Sequence, residues 1–144
     1  MGTRCLTRVN DSEGRKLLNL YRQFDGYLDG AGKDLFEFIK DKKIVNGYTN
    51  RYSETEANGA GCLAAQIVAH FKKEIGGFYI YPVDSTDCGQ EYEYVLTVTE
   101  ANSWVNPPIS GGISVEVIAY GERKFAGTVA EFGAFIDAGE AEEE

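Results

Sequence analysis

The chain has 144 residues, of which 43% are hydrophobic and 26% charged, and its formal net charge is −9. This length and balance fit one folded domain and exclude a disordered chain. The acidity is uneven, because the first 50 residues carry nine basic and seven acidic side chains whereas residues 51–144 carry five and sixteen. A negative field repels phosphate backbones, so the composition argues against general binding to nucleic acid.

The three cysteines are scattered and include no CxxC pair. This pattern predicts neither a disulfide framework nor a zinc site, and it favours a reducing compartment. The start of the chain lacks the apolar stretch of a secretory signal, and no apolar run approaches membrane-spanning length. We therefore expect an intracellular protein that is not secreted, with no membrane segment, no metal and no cofactor.

Hydrophobic patterning predicts the elements of the first half. Alternating side chains indicate an opening β-hairpin over residues 3–9 and 16–24, around a turn-forming Asn-Asp-Ser-Glu-Gly sequence. Apolar residues at helical spacing predict helices over residues 33–43 and 61–75. The polar residues 46–58 between these helices predict a long connection.

The second half is richer in strands. Alternation predicts strands over residues 78–83, 92–98 and 113–119, and the polar side of the middle strand indicates that one face of the sheet is wet. A capping box formed by Thr128 and Glu131 predicts a short last helix through about residue 137.

The order of these elements predicts the fold class. Helices do not alternate with strands throughout, which favours an α+β fold over a doubly wound one. We expect a single domain over residues 1–138, with a mostly antiparallel sheet of about five to six strands and about three helices on one face. The acidic residues 139–144 are predicted to form a disordered tail, because like charges repel and nothing there can be buried.

The stretch from Gly59 to Ala64, Gly-Ala-Gly-Cys-Leu-Ala, matches the dinucleotide-binding fingerprint GxGxxA and opens a predicted helix. That fingerprint requires a strand running directly into the first glycine, because the turn must place pyrophosphate at the helix start. The preceding residues 51–58 are polar and predict no strand. We therefore interpret the small residues as allowing close packing of the helix start.

Two sets of side chains keep an enzymatic alternative open. Cys88 with His70 would pair a thiol with a base, whereas Cys62 is excluded because it lies eight positions before His70 on one helix, a rise of about 12 Å. The carboxylates of Asp84 and Asp87 form the second set. Their loop lacks the ligand spacing of a calcium site, and its composition is typical of a turn.

Strand alternation places Arg22 on the same side as Leu18 and Leu20, toward the core. A core-facing guanidinium is costly to desolvate unless a carboxylate or a ligand anion meets it. Asp25, or a carboxylate of residues 84–91, would satisfy it structurally, and a bound anion would satisfy it functionally. The sequence leaves both alternatives open.

Several segments carry a resemblance to a known family: residues 2–4 (Gly-Thr-Arg), 21–27 (Tyr-Arg-Gln-Phe-Asp-Gly-Tyr), 76–82 (Gly-Gly-Phe-Tyr-Ile-Tyr-Pro) and 88–94 (Cys-Gly-Gln-Glu-Tyr-Glu-Tyr). Over roughly residues 2–98 the chain resembles a family of small proteins encoded by bacteriophages and large DNA viruses, to which no activity is assigned. The resemblance implies a protein that works inside an infected cell, in the host cytoplasm or nucleus or in the virion, with a host-directed or virion-associated role.

Nine tyrosines and the lack of a complete catalytic motif favour a non-enzymatic viral accessory domain. It would bind a host or viral protein, or a small polar ligand. The candidate ligand-binding residues are Arg22, Gln23, Asp25, Tyr27, Asp84, Asp87, Gln90 and Glu91. The alternative is a small enzyme that acts on a nucleotide or peptide through Cys88 and His70, or through Asp84 and Asp87.

Overall fold

The computed structural model describes residues 2–47 and 50–143, with side chains described up to Gly139. The elements in chain order are β1 (Cys5–Asp11), β2 (Lys16–Arg22), a π-helical turn (Leu28–Gly32), α1 (Lys33–Ile39), β3 (Lys43–Ile44), β4 (Glu56–Ala57), α2 (Gly59–Phe71), β5 (Phe78–Ile80), β6 (Tyr92–Thr99), β7 (Gly112–Ala119), β8 (Glu122–Thr128) and α3 (Val129–Glu143). In this described part of the chain, no helix is long and apolar enough to cross a membrane.

Within the described residues, six strands form one mixed sheet in the order β5-β2-β1-β6-β7-β8. β1 and β6 are parallel neighbours, and every other neighbouring pair in this sheet is antiparallel. The predicted opening hairpin is confirmed as β1 and β2. The predicted α+β class, with a mostly antiparallel sheet in a single small domain, is therefore confirmed.

The described helices α1, α2 and α3 cover the same face of the sheet, called the helix face below. Side chains of β1, β2, β6 and β7 that point to this face alternate with those that point away, as strand geometry requires. They form one buried cluster with helix residues, which includes Cys5, Val9, Leu20, Tyr94, Leu96, Val117, Leu35, Leu63, Ile67 and Phe132. The core therefore lies between the sheet and a single layer of helices.

The opposite, reverse face is not uniformly wet. Residues 81–91, called the cover loop, lie over β1 and β2 on this side, and Leu6 beneath them is fully buried. The side chains of Arg8 and Asn19 each donate a hydrogen bond to a backbone carbonyl of the cover loop, at 2.7 and 3.0 Å. The prediction of a wet face thus fails over β1 and β2, because polar strand side chains bind a loop there instead of water.

Several element boundaries differ from the predicted ones. α1 ends at Ile39 instead of residue 43, and α2 ends at Phe71 instead of residue 75. Lys72 adopts an extended conformation after α2, and its ammonium group donates hydrogen bonds to the carbonyls of Gly76 and Phe78. The lysine therefore stabilises the turn into β5 rather than another helical turn.

The predicted capping box of α3 is confirmed. The amide of Thr128 donates to the carboxylate of Glu131 at 2.9 Å, and the amide of Glu131 donates to the hydroxyl of Thr128 at 3.2 Å. The helix extends beyond the predicted end and its backbone is helical through Glu143. The side chains of residues 140–143, and residue 144, lie outside the described part, so the disordered acidic tail stays a prediction.

Candidate functional site

Arg22 points to the helix face, as predicted, and its side chain is 10% exposed. Its guanidinium donates to the carboxylate of Asp34 at 3.0 Å and to the carbonyl of Phe24 at 2.8 Å. It also lies over the rings of Phe24 and Phe78, 4.9 and 5.4 Å from their centroids. The prediction that Asp25 or residues 84–91 supply its partner is wrong, because the carboxylate comes from the first turn of α1.

The segment after β2 turns sharply away from the sheet. Asp25 has a left-handed backbone with a φ of 52°, and its carbonyl accepts a hydrogen bond from the amide of Ala31 at 2.7 Å. The Tyr27 hydroxyl donates to the Asp25 carboxylate at 3.4 Å, and this carboxylate raises the pKa of Tyr27. The Gln23 side chain is exposed. Tyr27 is 41% exposed, so its aromatic ring is accessible to solvent.

The candidates in the cover loop are held by separate local partners. Glu91 binds Arg4 twice, accepting from its amide at 2.6 Å and from its guanidinium at 2.8 Å, and this guanidinium lowers the pKa of Glu91. The Gln90 side chain bridges the backbone of Thr86 and Cys88. No group of three or more metal-ligating acidic, His or Cys side chains occurs within the described residues.

The two remaining acidic candidates of the cover loop also have local partners. Asp87 accepts a hydrogen bond from the amide of Gly89 at 3.2 Å, as in an ordinary turn. Asp84 lies 3.6 Å from the ammonium group of Lys16, at the start of β2. The structure therefore does not bring the carboxylates of this loop to one point.

The thiol and imidazole of the enzymatic alternative lie apart. His70 is on α2, on the helix face, with its ring stacked on Phe38 at 4.3 Å between centroids. This contact removes water from the ring and lowers the pKa of His70, and Lys73 lowers it further. Cys88 belongs to the cover loop on the reverse face, so the sheet separates the two side chains.

A short strand, β4, does precede Gly59, contrary to the prediction, but it pairs with β3 in a separate two-stranded sheet. The start of α2 is occupied by a carboxylate from the end of β6. Glu100 accepts a hydrogen bond from the amide of Ala60 at 2.9 Å, and its second oxygen lies 2.6 Å from the place of a Cβ on Gly59. An anion of the chain itself therefore takes the place that a bound pyrophosphate would need.

A groove of about 550 Å³ opens between α3 and the end of the sheet where β6 begins and β7 ends. We call it the α3 groove, and the residues that line it are Leu28, Tyr92, Val117, Ala119, Lys124, Phe135, Ala138 and Gly139. A Cβ on Gly139 would lie 2.9 Å from Leu28, so glycine allows α3 to approach the π-helical turn closely. The lining is mainly apolar, and the ammonium group of its lysine, Lys124, lies 3.1 Å from the carboxylate of Glu122.

Aromatic rings surround the α3 groove. The ring centroid of Tyr92 lies 5.8 Å from that of Tyr120 and 6.3 Å from that of Tyr94. The rings of Tyr92 and Tyr94 are nearly parallel. On the other side, Phe125 stacks on Phe135 at 4.9 Å. The hydroxyl of Tyr94 donates to the Gly26 carbonyl at 2.8 Å, which ties the segment that carries Tyr27 to the same end of the sheet.

Tyr120 stands beside the groove in an unfavourable backbone conformation. It is 74% exposed and has a φ of 53°, and Gly121 follows with a φ of 80°. Two residues with positive φ between paired strands form a type I′ hairpin turn, in which Asn is strongly preferred at the first position. The tyrosine costs conformational energy at this position and gains little burial, since most of it is exposed beside Tyr92.

The chain matches no protein-family model, no curated protein and no solved structure.

The α3 groove is not predicted by any pattern in the sequence. Its residues come from five different elements, and Gly139 lies beyond the predicted end of the last helix. One local signal was present: the Tyr120-Gly121 pair between two stretches of strand length indicates a tight hairpin with an aromatic residue at its tip.

Proposed function

We propose that this protein is a non-enzymatic binding module that receives an apolar side chain of a protein partner in the α3 groove. The observation that carries the proposal is the open, mainly apolar groove of about 550 Å³ at the tyrosine-rich end of the sheet. Ligand pockets typically measure about 300–1,000 Å³ and are lined in this way. Apolar area removed from water contributes about 25 cal/mol per Å², so filling the groove favours association.

A protein partner fits this end of the molecule better than a small polar ligand does. Two charged candidates already have partners elsewhere in the chain, since Arg22 binds Asp34 and Glu91 binds Arg4. A polar ligand that bound either residue would have to break its ion pair. The free energy of the broken pair, and of removing water from the ligand, would oppose binding. The α3 groove, by contrast, offers apolar surface that the described side chains leave open.

Exposed tyrosines extend the proposed binding surface beyond the groove. Tyr27 precedes Leu28 of the groove lining, and Tyr120 lies next to Tyr92 on its floor. Tyrosine supplies a large contact area with little loss of side-chain freedom and is enriched at the centres of protein interfaces. The resemblance of residues 2–98 to phage and viral proteins supports a host or viral protein as the partner.

The proposal is tested with a matched pair of α3 variants. Ala138→Trp fills the groove, whereas Ala130→Trp adds the same side chain at an exposed site two turns earlier on the same helix. The probe is the dye anilinonaphthalene sulfonate, whose apolar rings suit the groove and whose sulfonate suits Lys124. Its fluorescence is excited directly, so the added tryptophan does not contribute.

We expect the wild type and Ala130→Trp to bind the dye equally, and Ala138→Trp to bind it at least about tenfold more weakly, a loss of about 1.4 kcal/mol. Circular dichroism establishes that both variants are folded. Equal dye binding by Ala138→Trp and Ala130→Trp, or no dye binding by the wild type, would contradict the proposal.

A further inference from the structure

We infer that the partner received by the α3 groove is a second copy of this chain, which inserts the loop between β6 and β7, so that copies join head to tail. This inference rests on the proposed function of the groove and names its occupant. The part of this loop that follows Glu100, residues 101–111, is called the Trp104 loop below.

The Trp104 loop holds apolar side chains in solvent. Trp104, the one tryptophan of the chain, is 92% exposed, and Val105 and Ile109 on the same loop are also exposed. The loop is closed by two backbone hydrogen bonds between Asn102 and Ile109, at 2.9 and 2.8 Å, and the Asn102 side chain accepts from the amide of Trp104 at 2.9 Å. Neighbouring exposed apolar side chains on a closed loop mark an interaction surface.

The Trp104 loop and the α3 groove lie at opposite ends of the same two strands. In the register of β6 and β7, Tyr92 pairs with Ala119 at the groove end and Thr99 pairs with Gly112 at the loop end. Seven strand steps separate these pairs, a distance of about 23 Å. Trp104 therefore cannot reach the groove of its own chain, and the indole that fills a groove must come from another molecule.

Charge favours this pairing over other contacts between copies. Each copy carries a formal charge of −9, so most surfaces of two copies repel each other. Residues 101–115 contain no Asp, Glu, Lys or Arg. The groove that would receive the loop contributes the ammonium group of Lys124, which lies 3.1 Å from the exposed carboxylate of Glu122 and is attracted to the face of an indole.

The proposed contact uses two different surfaces of each copy. A copy whose groove is filled still presents its own Trp104 loop, so the next copy can add at the other end. Heterologous contacts of this kind form rings where the rotation closes and open chains where it does not. Assembly beyond the dimer is therefore expected.

The test uses two variants, each of which removes one surface. Trp104→Ala removes the indole and keeps the groove, while Ala138→Trp fills the groove and keeps the loop. Sedimentation velocity is measured for each variant, for the wild type and for the Ala130→Trp control, up to about 1 mM, where contacts of only about 4 kcal/mol are still populated. Circular dichroism establishes that each protein is folded.

We expect the wild type and Ala130→Trp to form species larger than a dimer as concentration rises, and each single-surface variant to stay monomeric. An equimolar mixture of Trp104→Ala and Ala138→Trp should form a heterodimer and nothing larger, because one intact loop meets one intact groove. This complementation cannot result from misfolding of either variant.

Three outcomes overturn the inference. In the first, the wild type stays monomeric up to about 1 mM. In the second, the Trp104→Ala variant assembles like the wild type. In the third, the Ala138→Trp variant assembles like the wild type. The last result, with a monomeric Trp104→Ala, would indicate contact between two Trp104 loops. Retained dye binding in the α3 groove in any of these cases would leave the proposed function standing with a different partner.

Discussion

Arg22 at the end of β2 and Asp34 in α1 form an ion pair of 3.0 Å that joins the sheet to the helix layer. The arginine is nearly buried between two phenylalanine rings, whereas the side chain of Asp34 is 53% exposed. The two partners therefore differ in what their removal costs. Arg22 contributes packing, a hydrogen bond to a carbonyl and charge, while Asp34 contributes mainly a solvent-screened charge.

Replacing Arg22 by Ala is expected to lower the free energy of unfolding by about 2 kcal/mol, because it removes buried packing and a hydrogen bond. Asp34→Ala is expected to cost less than about 1 kcal/mol, since an exposed partner gains little from the pair. Urea denaturation measures both. An Arg22→Ala variant with an unchanged midpoint would show that the arginine is not structural and would restore it as a ligand-binding candidate.

Tyr120→Asn is expected to stabilise the fold and weaken binding in the α3 groove. Asn adopts the left-handed conformation of this turn more readily than Tyr, a gain of up to about 1 kcal/mol, while loss of the ring removes contact area beside the groove. Thermal unfolding and dye titration are the two measurements. Tyr120→Phe is the control, which keeps the ring and should leave both properties near those of the wild type. A less stable Tyr120→Asn variant would contradict the account of this turn.

The Arg4–Glu91 pair predicts a pH dependence of stability. Arg4 lowers the pKa of Glu91 in the folded chain, so the unfolded chain binds a proton more readily. The stabilisation is complete above the unfolded pKa, near 4.5, and is lost as pH falls through the lower folded value. Unfolding temperatures are compared for the wild type and Glu91→Gln between about pH 7 and pH 3.

We expect the wild type to be the more stable protein at neutral pH and the difference to shrink on acidification, because protonation of Glu91 removes its attraction to Arg4. Asp11 and Glu131 also have lowered pKa values and titrate in the same direction, but they are common to both proteins. A difference that stays constant down to the lowest pH would contradict this role of the pair.

The three cysteines are expected to differ in reactivity. Cys5 is fully buried, and burial raises the pKa of its thiol to about 12, so almost none is thiolate at about pH 8. Cys62 and Cys88 are partly exposed. Alkylation of the native protein followed by peptide mass spectrometry should label Cys62 and Cys88 and leave Cys5 unlabelled until the chain is unfolded. Equal labelling of all three would contradict the buried position of β1.

Local patterns were sufficient for much of the fold. Alternation and a polar turn predicted the opening hairpin, and the spacing of Thr128 and Glu131 predicted the start of α3. β8 was missed because its sequence, Glu-Arg-Lys-Phe-Ala-Gly-Thr, is charged at its beginning and buries few side chains, as is usual for an edge strand.

The remaining features depend on contacts between distant parts of the chain. The parallel pairing of β1 with β6 joins residues more than 80 positions apart, and no local pattern specifies it. The direction of Arg22 followed from alternation, but its partner Asp34 did not, because the π-helical turn that brings α1 under the strand was not predicted. The α3 groove is lined by both Leu28 and Gly139, and their close approach is again a contact between distant segments.

The central claim, that the α3 groove receives an apolar side chain, is tested most directly by heteronuclear NMR. The labelled protein is titrated with N-acetyltryptophanamide, a neutral probe with the side chain of Trp104. We expect the largest shift changes at the amides of Leu28, Tyr92, Ala138 and Gly139, and their loss in Ala138→Trp. Shift changes that are absent, or that cluster elsewhere and persist in Ala138→Trp, would contradict the claim.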